Sequence, residues 1–143
     1  MREILFRAKS EDNYPYPSRW KYGAPVEDSY ESCYMMITSK GFVEIKKETV
    51  GEFTGLTDKN GVRIFEGDII RYIRKSGVPI IGVVVYGDYS FPPEDMPFHR
   101  GFYIEWTREP TLRQELGFWA MRRAAEVIGN VYDNPELVGG GKE

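Results

Sequence analysis

A chain of 143 residues with 41% hydrophobic, 15% aromatic and 29% charged residues is one domain in size and can bury a core, which excludes wholesale disorder. Nineteen basic residues against 22 acidic ones leave a formal charge of -3, so composition gives no electrostatic pull toward nucleic acid. A single cysteine, Cys33, excludes an intramolecular disulfide, and the longest apolar run, residues 78–86, is far short of the ~20 residues of a membrane span. In chain order, Ile4 and Phe6 alternate with Leu5 and Arg7, which predicts a first strand; no apolar signal segment precedes it, so the expected compartment is the cytoplasm. Residues 13–25 carry Tyr14-Pro15-Tyr16-Pro17 and Pro25 and read as a loop, because proline lacks the amide donor a central strand needs. Its aromatics, Tyr14, Tyr16, Trp20 and Tyr22, either anchor a partner or fold back over the core, with residues 20–22 as a short strand; self-packing is the default. Residues 34–37 and 42–45 flank Thr38-Ser39-Lys40-Gly41, a hairpin pattern.

The stretch 49–74 organises the rest. Asp58-Lys59-Asn60-Gly61 suits a type I turn closed by a G1 bulge, since Asp and Asn bond their own backbone and Gly61 accepts positive φ. Strand formers lie on both sides, Val50, Phe53 and Leu56 before it and Val62, Ile64 and Phe65 after it; Glu66-Gly67-Asp68 then reads as a tight corner before Ile69, Ile70, Tyr72 and Ile73. Past a turn at 75–79, residues 80–86 are apolar on both faces and must be covered twice. That strand is predicted to end over 87–93 in an irregular excursion reaching Arg100, before 101–106 returns as a strand with Phe102, Ile104 and Trp106 on one side. Leu112, Leu116, Trp119 and Arg123 fit helical spacing, so 110–123 is assigned a short helix despite Gly117, which weakens a helix interior by about 1 kcal/mol. A final strand at 126–132 stops at Asp133-Asn134-Pro135. The fold class expected is all-β or predominantly β, of coiled antiparallel sheets or a distorted small barrel with at most one short helix. Residues 1–138 are expected to form a single domain, and 139–143 a flexible tail.

Residues 48–70 resemble the signature of the YopX family of phage and prophage proteins. The matching residues are Glu48-Thr49-Val50-Gly51, Phe53-Thr54-Gly55-Leu56, Asp58-Lys59-Asn60-Gly61 and Ile64-Phe65-Glu66-Gly67-Asp68-Ile69. A second block runs from Glu126-Val127-Ile128-Gly129-Asn130 through Val131-Tyr132-Asp133-Asn134-Pro135-Glu136-Leu137, and a weaker one is Arg2-Glu3-Ile4 with Phe6-Arg7-Ala8. Lys9 stands where the family pattern has Trp, and Glu52 where Gln is more usual. The resemblance implies a phage or prophage setting, and with it a bacterial cytoplasm, in a family that looks like one without an established biochemical activity.

Residues with chemical potential each have a plain structural alternative. Glu66 and Asp68, near Glu52 and Asp58 in sequence, are conceivable as paired carboxylates or a Mg²⁺ site, but hard cations need more oxygen ligands, and a solvated corner is the favoured reading. His99 is the sole histidine, and Cys33 has no neighbouring base, so neither a zinc site nor a thiol nucleophile is expected. The glycines form no P-loop or dinucleotide fingerprint; no cofactor and no enzymatic activity are expected. Arg71, Tyr72, Arg74 and Lys75 form a small basic cluster with one aromatic, the candidate contact if the chain is a nucleic-acid-binding small barrel. The leading expectation is instead an accessory protein acting through contacts with an unidentified phage or host protein. It is expected to self-associate as a homo-oligomer through the strand bearing Ile81, Val83 and Val85.

Overall fold

The computed structural model describes residues 2–13, 15–30, 33–89, 99–108, 113–116 and 124–139. The fold is predominantly β, of antiparallel sheets, and the chain divides into two compact units, Met1–Phe53 and Thr54–Glu143.

The first unit is a meander of β1 (Phe6–Lys9), β2 (Trp20–Asp28), β3 (Cys33–Thr38) and β4 (Gly41–Ile45), then a 3-10 turn (Lys47–Thr49) and the start of β5 (Gly51–Thr57). β1 lies between β2 and β5, giving the order β4-β3-β2-β1-β5. The two ends of the β1–β4 ribbon meet: Ser10 bridges Ile45, the Glu11 amide donates to the Glu44 carbonyl at 3.0 Å, and the Lys46 amide donates to the Lys9 carbonyl at 2.8 Å. This closes the ribbon into a small barrel and leaves fewer open edges. Strand alternation sends Ala8, Met36 and Ile45 inward, where they are buried and packed by Phe6, Tyr34, Val43 and Val50. Gly23 makes the closure possible, because a Cβ there would sit 1.9 Å from the Ile37 carbonyl oxygen.

In the second unit β5 turns at residues 58–61 into β6 (Arg63–Phe65), which passes through the Glu66-Gly67 corner into β7 (Asp68–Ile73). The turn has the expected form: the Gly61 amide donates to the Asp58 carbonyl, the Asp58 amide to the Val62 carbonyl, and Gly61 has φ 81°. β8 (Pro79–Tyr89), β9 (His99–Trp106), β10 (Arg113–Glu115) and β11 (Glu126–Asn130) complete a sheet ordered β10-β9-β8-β7-β11. A second 3-10 turn, Pro135–Val138, follows β11. The core gathers Ile64, Ile70, Val84, Ile104, Trp106, Leu116 and Ala125. Gly82 lets the Trp106 ring lie against the sheet, since a Cβ would come within 2.9 Å of that ring and 2.5 Å of Ile104.

Four sequence expectations change. The short strand offered at residues 20–22 is present and longer, running on through residues 23–25, which were expected to be loop, to Asp28; β1 pairs only as far as Gly23, so on that side the missing Pro25 amide leaves no ladder bond unmade. β8 continues to Tyr89, because β9 pairs with it residue by residue from His99, so His99 and Arg100 belong to a strand and not to an excursion. Arg113–Glu115 is a strand, because the edge of β9 at residues 103–105 offers amides and carbonyls that a helix there would leave unpaired; Leu116 is buried and helical as expected, and the rest of the helix expected over 110–123 lies outside the described residues. The first strand opens at Phe6, leaving Ile4 exposed.

Candidate functional site

The acidic residues of the central signature act on backbone. Asp58 is 5% exposed, and one carboxylate oxygen accepts from the amides of Asn60 at 2.8 Å and Val62 at 2.9 Å. Its other oxygen accepts from Val127 at 2.9 Å, 69 residues along the chain. Asp68 is buried and accepts from the Phe65 amide at 2.7 Å, clamping the corner in which Gly67 has φ 93°. The second block closes the same structure from the other side. Lys59 donates its amide to the Ala125 carbonyl, Val131 to the Gly67 carbonyl, and the Asn130 side chain accepts from the amides of Tyr132 and Asp133. Thr49 acts likewise in the first unit, accepting from the Lys9 amide and donating to the Lys46 carbonyl. The signature is thus a lock on β5–β6–β7 and β11. Among the described residues no group of three or more His, Cys, Asp or Glu is placed to hold a metal ion.

The basic cluster is spread over two faces and a turn. Arg71 and Tyr72 are consecutive in β7 and project oppositely: Arg71 donates to Glu126 at 2.8 Å, whereas Tyr72 packs against the core. The Arg71 bond holds the Glu126 carboxyl below its usual range against desolvation, aided by the charge of Lys59 at 3.9 Å. Arg74 and Lys75 sit in the exposed turn before β8, which Gly77 closes with φ 87°. Ile81, Val83 and Val85 are half-buried on the face of β8 opposite the Val84 core. β8 pairs with β7 through residues 79–83 and with β9 through residues 82–89, so it is an interior strand and a subunit contact there has to use its face.

Two surface features of the first unit were not evident from sequence. A groove of about 560 Å³ lies between the β1–β2 connection and β4, lined by Asp12, Tyr16, Arg19, Lys21 and Glu44 among others. Asp12 is held below its usual carboxylate range by the Ser18 amide first and by Lys46 second. With both charge signs on its walls, the groove selects neither anions nor cations. The second feature is the outside of the barrel. Trp20, Tyr22, Ala24 and Val26 of β2, Met35 and Ile37 of β3 and Phe42 of β4 alternate with the inward residues and share this face. Tyr22 is 49%, Ile37 42% and Phe42 68% exposed. The Arg7 guanidinium, itself buried, lies 4.5 Å from the Trp20 ring centroid, so Trp20 is partly self-packed. Tyr16 is exposed, and Tyr14 lies outside the described residues. Cys33 is half-buried, and His99 stacks on Tyr89 with centroids 5.5 Å apart.

A small barrel and a five-stranded sheet, each cored by its own apolar cluster, the first pinned by the Thr49 hydroxyl and the second by the carboxylates of Asp58 and Asp68, define an all-β protein that carries exposed apolar side chains on the outside of the barrel. The chain belongs to the YopX family: the family model described as YopX protein matches residues 5–139. Among solved structures it is similar to protein EF1440 from Enterococcus faecalis, at 25% identity, a TM-score of 0.57, and coverage of 96% of this chain and 99% of that one. No curated protein matches the chain. No helix among the described residues is long and apolar enough to cross a membrane.

Proposed function

We propose that the chain is a non-enzymatic phage or prophage accessory protein, working in the bacterial cytoplasm through contacts with a protein partner and as a homo-oligomer. The observation that carries this reading is the division of labour among its side chains. The signature carboxylates of Asp58 and Asp68 are engaged by backbone amides, whereas large apolar groups, Tyr22, Ile37 and Phe42, lie together in solvent on one barrel face. Exposed contiguous apolar surface is the usual mark of a protein contact. The nucleic-acid reading through Arg71, Tyr72, Arg74 and Lys75 ranks second, because Arg71 is neutralised by Glu126 and Tyr72 turns to the core. Pull-down of tagged protein from an induced host, with nuclease-treated and untreated lysates compared, tests the choice. A specific protein retained in both lysates supports the proposal; recovery that depends on intact nucleic acid contradicts it.

A further inference from the structure

The seam that closes the first unit's ribbon stops short of the end of β4. Across it the Lys46 amide donates to the Lys9 carbonyl and the Glu11 amide to the Glu44 carbonyl, around the Ser10–Ile45 bridge. In an antiparallel strand the N–H and C=O of one residue point to the same side, and successive residues alternate sides. Residues 44 and 46 therefore turn their backbone to the seam, as does Phe42, while Val43 and Ile45 turn theirs to β3. The next seam bond would run from the Glu44 amide to the Glu11 carbonyl, and it does not form because the β1–β2 connection turns away. Asn13 bonds Tyr16 through both its amide and its carbonyl, and Asp12 is tied to the Ser18 amide at 2.8 Å and to Lys46 at 3.2 Å. Among the described residues nothing bonds the Glu44 amide, or the amide and carbonyl of Phe42.

The groove of about 560 Å³ lies along this open stretch, between β4 and the β1–β2 connection. One of its walls is thus a row of unmatched backbone donors and acceptors, and the group that satisfies such a row is another extended backbone. The charges in the groove are sorted. Lys21 pairs with Ala8 and shares its inward side, with Arg19 two residues before it, and among the described residues neither side chain has a bonding partner. Glu44 alternates with the inward Val43 and stands at the outer rim. A strand laid beside β4 repeats this alternation, so it fits when its inward residues are acidic and its outward ones basic. We propose that the β4 edge at Phe42 and Glu44 takes an extended segment of a partner protein as an added strand, its acidic side chains set toward Arg19 and Lys21. From Phe42 to Glu44 is about 7 Å at ~3.4 Å per residue, so about three residues of the segment pair and the binding is weak. The β1–β2 connection forms the far wall, which leaves room for a single strand and none for the edge of a second folded barrel.

This inference rests on the protein-contact reading, and the test separates the two. Backbone amide NMR of the full chain is followed to millimolar concentrations of a capped hexapeptide alternating glutamate and lysine, and of the same peptide N-methylated at its backbone amides. The wild type is expected to bind the first with its largest saturable shifts at Phe42 and Glu44, and the second about tenfold or more weakly. Glu44→Pro removes the seam-facing amide, which β3 does not use, and is expected to bind about tenfold more weakly than Glu44→Ala, which keeps it. Arg19→Glu/Lys21→Glu is expected to weaken binding by a similar factor. Circular dichroism verifies folding, and if Glu44→Pro does not fold, the N-methylated peptide and the charge variant decide. No saturable shift at Phe42 and Glu44, or equal binding of the N-methylated peptide, overturns the proposal. In pull-down from the induced host, a protein retained equally by wild type and Glu44→Pro keeps the protein-contact reading and overturns this edge as its site. Peptide binding at Phe42 and Glu44 with no protein retained supports the edge and contradicts that reading. A dimer in sedimentation velocity that is lost in Glu44→Pro overturns the proposal by assigning the edge to a second copy.

Discussion

Replacing Asp58 with Ala removes the acceptor for three backbone amides at once, those of Asn60, Val62 and Val127. A buried amide left without a partner costs about 1–3 kcal/mol, and water reaching the exposed tip of the turn recovers part of this for Asn60 and Val62. The expected loss for Asp58→Ala is therefore about 2–4 kcal/mol, a large share of the ~5–15 kcal/mol typical of a folded domain. Asp58→Asn separates the contributions. Its carbonyl oxygen can still serve the turn, but its amide group then confronts the Val127 N–H, donor against donor, for a loss of about 1–2 kcal/mol. Urea denaturation with an unchanged slope gives the magnitudes, and amide hydrogen exchange gives the location. In Asp58→Asn, Val127 is expected to lose protection while Asn60 and Val62 keep theirs. An Asp58→Ala stability within ~0.5 kcal/mol of wild type, the scatter of unremarkable surface changes, would mean that the three bonds to Asp58 do not hold the fold.

Two glycines separate steric from conformational need. Gly23→Ala drives a methyl group into the Ile37 carbonyl and is expected to lower stability by ~1–3 kcal/mol or to prevent folding; Gly61→Val meets open space but holds a β-branched residue at φ 81°, for a loss of ~1–2 kcal/mol, both read by thermal melting. Equal stability of Gly61→Val and wild type removes the turn assignment. The Glu126 carboxyl is depressed in the folded chain, so its contribution is present above the unfolded value, near 4.5, and is lost as pH falls through the lower folded value. Melting between pH 7 and pH 3 is expected to show that acid loss, smaller in Arg71→Ala; identical profiles contradict the pairing. Single-stranded oligonucleotides are expected to give no anisotropy change even at low salt. Salt-sensitive binding abolished by Arg71→Ala/Arg74→Ala reverses the ranking of the two functional readings.

What sequence disclosed was local. The Asp58 to Gly61 turn, the Gly67 corner and the hairpin at Gly41 are legible because a positive φ demands glycine, and short polar side chains announce themselves beside it. The facing of Phe102, Ile104 and Trp106 is likewise a two-residue period. Non-local facts were hidden. Pro25 suggests a loop until it is known that β1 stops opposite Gly23, and helical spacing around Leu116 says nothing of the open edge of β9. The bond from Asp58 to Val127 and the bridge from Ser10 to Ile45 have no local signature. The resemblance joined the two blocks that carry Asp58 and Val127, but not the reason they belong together. The outer face has no local signature either, because the loop prolines before Trp20 and Pro25 after Tyr22 mask the two-residue period of β2. Their register with Ile37 and Phe42 shows only once β2 is in place.

The carboxylates of Asp58 and Asp68 are bonded to backbone amides, and an NMR titration tells whether they also hold a cation. Backbone amide spectra of the wild type are recorded against Mg²⁺ and then Mn²⁺ at millimolar concentrations. No saturable shift and no selective broadening are expected at Phe65, Val62 or Val127, because the oxygens facing them already accept from those amides. Saturable changes centred on Asp58, Glu66 and Asp68, abolished in Asp68→Asn with the fold retained, would contradict this and make the corner a cation site.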